Sequence, residues 1–313
     1  MSTAANAAPA TSGQQPALIV VSHGPTARVR LDSGPEVVAR AAGRDLQFVC
    51  GDRVLCACDA QHAQWQIQQL LPRRNALYRT SARGRAELVA ANLTLLVVVV
   101  APRPPPDLFL VDRYVAAATC AGIGALVVAN KADQEYPAGL RDGLAVLAAA
   151  GCATLTVSAR SGDGLEALRA QLRGQTVMFA GQSGVGKSSL LRELVPGSEA
   201  AVGELLKGDE GRHTTSVSQL YELPGGGALI DSPGVRDFAP AIESLDARTL
   251  GFSEVERLAP QCRFADCRHM REPDCAVTAA VAAGVMDARR YESFRRLHRL
   301  REQLQERVPY SRR

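Results

Sequence analysis

The segment 181–188, with the letters GQSGVGKS, constrains the fold of this 313-residue chain more than any other. It is a glycine-rich turn that a predicted strand over 175–180 precedes and a predicted helix over 188–194 follows. In that setting glycines let backbone N–H groups point inward around phosphates, and the helix directs its positive N-terminus at the same anion. The sequence therefore predicts a phosphate-binding P-loop made of Gly181, Gln182, Ser183, Gly184, Val185, Gly186, Lys187, Ser188 and Ser189.

Two side chains of this loop have predicted roles toward a nucleotide. Lys187 reaches the β- and γ-phosphates, and Ser188 binds Mg²⁺. Only three of the 36 basic residues are lysines, at positions 131, 187 and 207. In a chain that otherwise uses Arg for positive charge, Lys131 and Lys187 indicate a chemical need for a compact ammonium group.

A second motif, Asp231-Ser232-Pro233-Gly234, follows a predicted strand over 228–230. By itself it is compatible with a simple Pro-Gly turn. Its position after the P-loop favours the DxxG motif of nucleotide hydrolases. Asp231 then holds Mg²⁺ through a water molecule, and the Gly234 N–H contacts the γ-phosphate. Thr214 and Thr215, between the two motifs, are the candidate switch threonines.

Recognition of the base is predicted at Asn130-Lys131-Ala132-Asp133, after a predicted strand over 125–129. Asp133 can accept hydrogen bonds from guanine N1–H and the 2-amino group, a pair of donors that adenine does not offer. Asn130 would contact the guanine edge and tether neighbouring loops, and the stem of Lys131 would cover the ring face. Ser158 and Ala159, followed by Arg160, are the companion motif that offers a backbone N–H to guanine O6. GTP is therefore favoured over ATP.

The order of these motifs is unusual. A GTPase ordinarily runs from the P-loop through the switch threonine and DxxG to the base-recognition motifs, whereas here the base-recognition motifs come first. A parallel α/β domain can be cut and rejoined where its termini approach each other, so the same sheet can form from the permuted order. The chain that leaves the DxxG loop then runs directly into the C-terminal part. We expect contacts at Gly234 to reposition that part through a short connection.

The residue that orients the attacking water is less well defined by the sequence. Many GTPases have Gln directly after DxxG, but this chain has Val235, which cannot orient water. His213, in Gly211-Arg212-His213-Thr214-Thr215, is the candidate catalytic base nearby. The alternative is that His213 contacts RNA or a partner. Either way, slow intrinsic hydrolysis that a partner accelerates is expected.

The domain organisation is predicted from composition and periodicity. Residues 1–17 lack charge and large apolar groups and are predicted to be a disordered tail. Residues 18–84 carry five predicted strands, at 18–22, 27–31, 36–41, 46–50 and 53–58, which suit an OB-fold or an SH3-like β-barrel. The arginine-rich stretch 73–85 is interpreted as a linker.

The rest of the chain divides into two further predicted domains. Residues 85–240 alternate apolar strands, at 93–101, 125–129, 153–157, 175–180 and 228–230, with helices at 111–121, 140–150, 164–172 and 188–194, which indicates a doubly wound α/β domain. Residues 241–313 are predicted to be a helical domain. Neither a signal peptide nor an apolar run of membrane-spanning length is found, so a cytoplasmic protein is expected.

The C-terminal domain contains a cluster with the spacing of a metal site. Cys262, Cys267, His269 and Cys275 bring three of the eight cysteines and one of the five histidines into fourteen residues. Three thiolates and one imidazole suit a closed, tetrahedral, structural Zn²⁺ site, which leaves no open position for catalysis. The other cysteines, including Cys56 and Cys58, are interpreted as small apolar side chains, and no disulfides are expected.

With these motifs the chain resembles the circularly permuted, ribosome small-subunit-dependent GTPase A family (RsgA) of bacteria. The likeness runs from about residue 18 to the C-terminus and rests on the P-loop, GRHTT, the CX4CXHX5C cluster, Asp112-Arg113-Tyr114 and the stretches 51–54 and 71–75. It implies an N-terminal OB-fold, a permuted GTPase domain and a zinc-bearing helical domain. It also implies a GTPase that acts in late maturation of the small ribosomal subunit, binds 16S rRNA and is stimulated by the subunit.

The sequence departs from the family at a few positions. Ser216 and Ser232 stand where Thr is common, which leaves nucleotide binding intact, and the barrel is the least typical stretch. Gly184 occupies the place where potassium-activated GTPases have Asn, so potassium dependence is not expected.

Three functional hypotheses follow from the sequence. The first is a GTP-hydrolysing assembly factor, expected to be monomeric. The second is a nucleotide-gated RNA-binding or scaffold protein with incidental hydrolysis. The third, a P-loop kinase, is disfavoured by Asn130 and Asp133. An Arg-rich segment over 289–313 could follow RNA phosphates or form an ordinary solvated helix.

Overall fold

The N-terminal strands close into a five-stranded barrel. The computed structural model describes residues 13–43, 46–59, 62–81, 85–197, 217–232 and 239–307. The barrel strands are β1 (Gln15–His23), β2 (Thr26–Leu31), β3 (Glu36–Ala41), β4 (Arg53–Asp59) and β5 (Gln64–Leu70). They pair in the cyclic order β1-β2-β3-β5-β4-β1, with β3 and β5 parallel and the other pairs antiparallel. This order is that of an OB-fold, which confirms the first of the two predicted barrels.

Three details of this region differ from the sequence predictions. The stretch 46–50 is not a strand, because its backbone is held in a turn by Val49 N donating to Asp52 Oδ2 at 2.9 Å. The fifth strand is β5 instead. The predicted tail over 1–17 overlaps β1, since Ala17 is fully buried and pairs with Val54. Residues 1–12 lie outside the described part of the chain.

The segment interpreted as a linker is a β-hairpin. It consists of β6 (Ala76–Thr80) and β7 (Ala86–Ala91), which pair antiparallel. Residues 239–241, which follow the DxxG motif in the sequence, lie along its edge. Thr80 N donates to Ala239 O at 3.0 Å, and Ala241 N donates to Tyr78 O at 3.0 Å. Residues 239–241 thus extend the hairpin on the β6 side.

The central domain is a six-stranded sheet with helices on both faces. Its strands are β8 (Leu95–Val100), β9 (Gly124–Ala129), β10 (Ala153–Thr156), β11 (Thr176–Ala180), β12 (Ser218–Glu222) and β13 (Ala228–Asp231). They lie in the order β10-β9-β8-β11-β13-β12, and every pair is parallel except β12–β13. The predicted doubly wound domain is confirmed, and β12 is an additional strand.

The helices of this domain cover an apolar sheet on both sides. They are α1 (Leu108–Cys120), α2 (Ala138–Ala149), α3 (Leu165–Leu172) and α4 (Lys187–Leu194). In β8, Leu96 and Val98 face the core under α1 and α2, whereas Val97 and Val99 face the core under α3 and α4. A strand buried on both faces explains the continuous run LLVVVV.

The barrel and the central sheet share one continuous ladder. Strand β12 pairs antiparallel with β1, through Val21 opposite Gln219 and Ser22 opposite Ser218. The eleven strands β1–β5 and β8–β13 therefore form a single hydrogen-bonded sheet. Val20 and Val21 of β1 also belong to the core that contains Leu96 and Tyr114.

The C-terminal part is helical, as predicted. It contains α5 (Ser253–Leu258), α6 (Ala276–Ala282) and α7 (Ala288–Arg307), with short 3₁₀ turns at Ile242–Ser244 and Ala259–Gln261. Helix α7 docks on α1 through a buried ionic cluster. Arg290 donates to Asp112 at 2.7 Å and to Glu254 at 2.8 Å, and all three are nearly inaccessible. Among the helices within the described ranges, none has the length and apolar character that crossing a membrane requires.

Candidate functional site

The P-loop connects β11 to α4 with its glycines in conformations that other residues avoid. Gly181, Gly184 and Gly186 have φ values of +131°, +78° and +99°. At Gly181 and Gly186 a side chain would also collide with Val99 O and with Asn130 Nδ2. Glycine is therefore required for both reasons, since only it combines positive φ with so close an approach.

The lysine of the loop is held by the loop itself. Lys187 Nζ donates to Gly181 O at 2.5 Å and to Gln182 O at 2.7 Å. These bonds place its ammonium inside the curve of the loop, where phosphate oxygens would be its alternative acceptors.

Asn130 joins three separate loops into one site. Its Nδ2 donates to Val185 O of the P-loop at 2.9 Å, and its Oδ1 accepts from Ala159 N at 3.1 Å. Lys131, at a φ of 64°, donates from Nζ to Gly184 O at 2.7 Å. The base-recognition and phosphate-binding motifs, which are distant and inverted in the sequence, thus meet directly.

Asp133 is oriented by the companion motif. Its Oδ1 accepts from Ser158 Oγ at 2.7 Å, and Arg160 lies 3.8 Å from its Oδ2. Its carboxylate opens into a cavity of about 740 Å³. Among the residues that line this cavity are Asn130, Lys131, Asp133, Ser158, Ala159, Gly186 and Ser189. A single cavity therefore carries a carboxylate suited to guanine beside the P-loop.

Tyr136 also supports this site, although no sequence motif marks it as a site residue. Its hydroxyl donates to Ala129 O at 2.8 Å and lies 3.1 Å from Asn130 O, at the start of the base-recognition motif. Burial, together with the negative charge of Asp133, raises the pKa of Tyr136 to about 12. The phenol consequently stays protonated and remains a donor at physiological pH.

The expected magnesium end of the site lies beside the P-loop. Lys187, Ser188, Asp231 and Ser232 line one small cleft. Ser232 Oγ accepts from Ser218 Oγ at 2.8 Å, which fixes Ser232, the second residue of the DxxG motif. The predicted site residues His213, Thr214, Thr215 and Gly234 lie outside the described residues.

The four predicted metal ligands converge. One ligand atom from each of Cys262, Cys267, His269 and Cys275 lies within 4.8 Å of the others. Cys262 Sγ is 3.9 Å from Cys275 Sγ, and His269 Nδ1 is 3.4 and 3.6 Å from these two sulfur atoms. Tyr291 fixes the loop by donating from its hydroxyl to His269 O at 2.8 Å. The cluster can therefore hold a metal ion.

Comparison with known proteins agrees with this geometry. A family model described as RsgA GTPase matches residues 70–240. The small ribosomal subunit biogenesis GTPase RsgA of Azotobacter vinelandii is 44% identical over 255 residues, 80% of this chain and 74% of that protein. The protein of the same name from Pseudomonas fluorescens is 44% identical over 253 residues, 79% of this chain and 73% of that protein.

Two solved structures match nearly the whole chain. YjeQ from Thermotoga maritima is 26% identical with a TM-score of 0.69, and the match covers 96% of this chain and 100% of that one. YloQ, described as a circularly permuted GTPase, is 22% identical with a TM-score of 0.70, and the match covers 95% of this chain and 97% of that one. The second match shows that the permuted fold is shared.

Proposed function

This chain belongs to the RsgA GTPase family, and on that premise we propose that it hydrolyses GTP to GDP and phosphate during late maturation of the small (30S) ribosomal subunit. One observation carries the proposal. Asp133 and the P-loop line the same cavity, and Asn130 links their two loops by its hydrogen bond to Val185 O. Guanine recognition and phosphate binding then act on one molecule. Relatives named for small-subunit biogenesis support the cellular role.

The proposed roles follow the chemistry of each group. Asp133 accepts from the guanine edge, Lys131 covers the base, and the Ala159 N–H faces guanine O6. Ser183, Gly184, Val185 and Gly186 present backbone N–H groups to the phosphates, Lys187 binds β- and γ-phosphate oxygens, and Ser188 with Asp231 holds Mg²⁺. Thr214, Thr215 and Gly234 complete the γ-phosphate contacts, and His213 orients the attacking water.

We propose Zn²⁺ as the metal of the Cys/His cluster. Bonds of about 2.3 Å to sulfur and tetrahedral angles place two thiolates about 3.8 Å apart and an imidazole nitrogen about 3.5 Å from each. The observed separations of 3.9, 3.4 and 3.6 Å fit this arrangement. The ion would be structural, and one ion per chain is expected by elemental analysis. A Cys267→Ser variant would lose it, whereas Cys58→Ser, in the barrel, would retain it.

We further propose that the chain binds 16S rRNA as a monomer in the cytoplasm. The OB-fold and the arginines of α7 support binding to RNA. We assign residues 18–84 to the barrel domain, 85–240 to the GTPase domain and 241–313 to the zinc domain. The hairpin β6–β7 straddles the first of these boundaries and packs with both domains.

Turnover assays test the proposed function. Purified small subunits are expected to raise GTP hydrolysis well above the intrinsic rate, and ATP is expected to be a poor substrate and a poor competitor. Large subunits at equal concentration are the control. If small subunits bind without changing turnover, the chain is instead a nucleotide-gated RNA-binding or scaffold protein. If ATP is hydrolysed equally well, the assignment of Asp133 fails.

A further inference from the structure

The segment that carries the DxxG motif is attached at both ends to parts of the molecule that contact the barrel. At its start, Ser232 is buried and accepts from Ser218 Oγ at 2.8 Å. Ser218 is the first residue of β12 and lies opposite Ser22 of β1. The motif therefore begins where the central sheet joins the barrel.

The other end of the segment is attached to the hairpin that follows the barrel. Residues 239–241 lie along β6 through two backbone hydrogen bonds of 3.0 Å each, in which Thr80 N donates to Ala239 O and Ala241 N donates to Tyr78 O. The chain then enters the core, where Ile242 and Leu245 are 3% and 4% exposed. A strand-like segment with its following side chains buried is firmly fixed in place.

Arg113 links this second end to α1, whose first turn lies against the P-loop. Its Nε donates to Pro240 O at 2.8 Å, and its Nη2 donates to the same carbonyl and, at 3.3 Å, to Thr80 Oγ1. At the start of α1, Asp107 N donates to Gln182 Oε1 at 3.1 Å. One guanidinium thus joins the hairpin, the chain beyond DxxG and a helix that contacts the phosphate-binding loop.

We infer that Arg113 is a positioning residue for GTP hydrolysis, which fixes the exit of the DxxG segment against the hairpin β6–β7. The inference rests on the proposed function, in which Gly234 contacts the γ-phosphate. Gly234 precedes Pro240 by six residues, a span of at most about 20 Å, so an anchor at Pro240 limits where the Gly234 N–H can lie. GDP lacks the γ-phosphate, and its binding does not depend on this anchor.

This arrangement also changes which part of the molecule we expect to respond to contacts at the γ-phosphate. Residues 239–241, which lead from the DxxG motif to the zinc domain, are paired with β6 and held by Arg113. A displacement passed along this chain would therefore reach the hairpin β6–β7, at residues 239–241, before it reaches the helical domain.

The test compares Arg113→Lys with the wild-type protein. Lysine keeps the charge but lacks the planar fork that contacts a carbonyl and a hydroxyl together. We expect kcat for GTP, with and without small subunits, to fall roughly ten-fold, the loss of one hydrogen bond from a charged donor. The affinity for GDP is expected to stay within about two-fold. Glu87→Gln is the matched control, because Glu87 pairs with Arg79 on the exposed side of the same hairpin.

Thr80→Val is a second variant that does not touch the charge. It removes the hydroxyl partner of Arg113 and is expected to lower kcat in the same direction by about three-fold, with GDP affinity preserved. Thermal melting identifies any variant that fails to fold. If Arg113→Lys fails to fold, Thr80→Val decides the question.

The outcomes separate this inference from the proposed function. If both variants turn over GTP like the wild type, or if kcat and GDP affinity fall together, Arg113 is merely structural and the inference is overturned. If the wild-type protein itself does not hydrolyse GTP, with or without small subunits, the proposed function fails irrespective of Arg113.

Discussion

Asn130 is the residue on which the assembly of the nucleotide site depends. Its amide bonds to Val185 O and Ala159 N at once, so it links loops that are 55 and 29 positions away in the chain. A carboxamide suits this place because it donates and accepts through one planar group. Asp would lose the donor, and the P-loop carbonyl would face a carboxylate.

The preference for guanine is predicted to reside in the charge and geometry of Asp133. In Asp133→Asn, one acceptor oxygen is replaced by an NH₂ group, which opposes the 2-amino group of guanine but matches the 2-oxo group of xanthine. We expect the binding free energy of GDP to weaken by about 2–3 kcal/mol, which lowers its affinity roughly 30- to 150-fold. The affinity for xanthosine diphosphate (XDP) is expected to rise. Competition binding measures both.

Asp142→Asn provides the control for this substitution, because Asp142 lies on the exposed face of α2. It is expected to leave both affinities unchanged. Equal losses of GDP and XDP binding in Asp133→Asn would contradict the assigned role.

The close approach of Gly186 to Asn130 gives a second prediction at this scale. In Gly186→Ala the new Cβ collides with Asn130 Nδ2, and the residue is also forced to a φ of +99°. We expect nucleotide binding to be lost, because the amide must move off Val185 O. Gly151→Ala shares the positive φ, at +90°, but has no atom within 4 Å of the new Cβ, and Gly151 does not line the nucleotide cavity.

Gly151→Ala is therefore expected to cost only the backbone strain, about 1 kcal/mol of unfolding free energy, and to bind GDP normally. Isothermal calorimetry and urea unfolding of the two variants separate strain from collision. Similar losses of binding in both would show that the approach to Asn130 is unimportant.

At the scale of elements, α1 joins the GTPase domain to the zinc domain. Its Asp112 is fully buried and accepts from Arg289 and Arg290 of α7 at 2.7 Å each. Burial opposes ionisation of Glu254, but the hydrogen bonds and charge of Arg290 outweigh it and lower its pKa. The stabilisation from Glu254 is thus present above the ordinary carboxyl pKa and is lost as the pH falls through the lowered one.

Removal of one charge from this cluster is predicted to destabilise the fold strongly. Asp112→Asn leaves two arginines to one carboxylate in a buried site, so we expect a loss of about 3–5 kcal/mol in unfolding free energy. Urea denaturation measures it. Glu292→Gln breaks only the surface pairs with Arg295 and Arg299 and is expected to cost at most about 1 kcal/mol. Equal effects would refute the importance of burial.

Elements whose apolar residues have a clear period were predictable from the sequence. The run LLVVVV of β8 and the glycine-rich turn before α4 identify the α/β domain and its P-loop. Strand β5 lacks a recognisable period, because QWQIQQL has only one buried side chain, Ile67, among outward-facing glutamines. The prediction of a strand at 46–50 is wrong because Phe48 and Cys50, although spaced as in a strand, are buried from an irregular turn.

The candidate site was predictable only as far as its motifs. The P-loop, Asn130, Asp133 and the metal ligands are recognisable because their chemistry demands fixed residue types at fixed spacing. The supports at Tyr136 and Arg113 depend on which backbone carbonyls the fold brings near them. No local pattern encodes those contacts.

At the scale of the whole molecule, the shared sheet predicts that the barrel and the GTPase domain unfold together. The only tryptophan, Trp65, lies in β5, at the side of the barrel opposite β12. Its fluorescence therefore reports the barrel alone. GDP at about 100 times its dissociation constant is expected to stabilise the native state by about 2.7 kcal/mol, and the urea midpoint seen by Trp65 is expected to rise accordingly.

Two comparisons make this measurement decisive. ADP at the same concentration is expected to leave the Trp65 midpoint unchanged, because it lacks the donors that Asp133 accepts. The contrary result has two parts. If the urea midpoint for release of bound nucleotide rises with GDP concentration while the urea midpoint of Trp65 fluorescence stays constant, the two domains unfold separately.

The strand order has a consequence for synthesis of the protein. Strand β8 leaves the ribosome long before its neighbour β11, since about 75 residues separate Val100 from Thr176. At translation speeds of about 5–20 residues per second, the nascent chain displays one unpaired, strongly apolar β-edge for roughly 4–15 s. A chaperone that shields such edges during translation would therefore protect this chain during that interval.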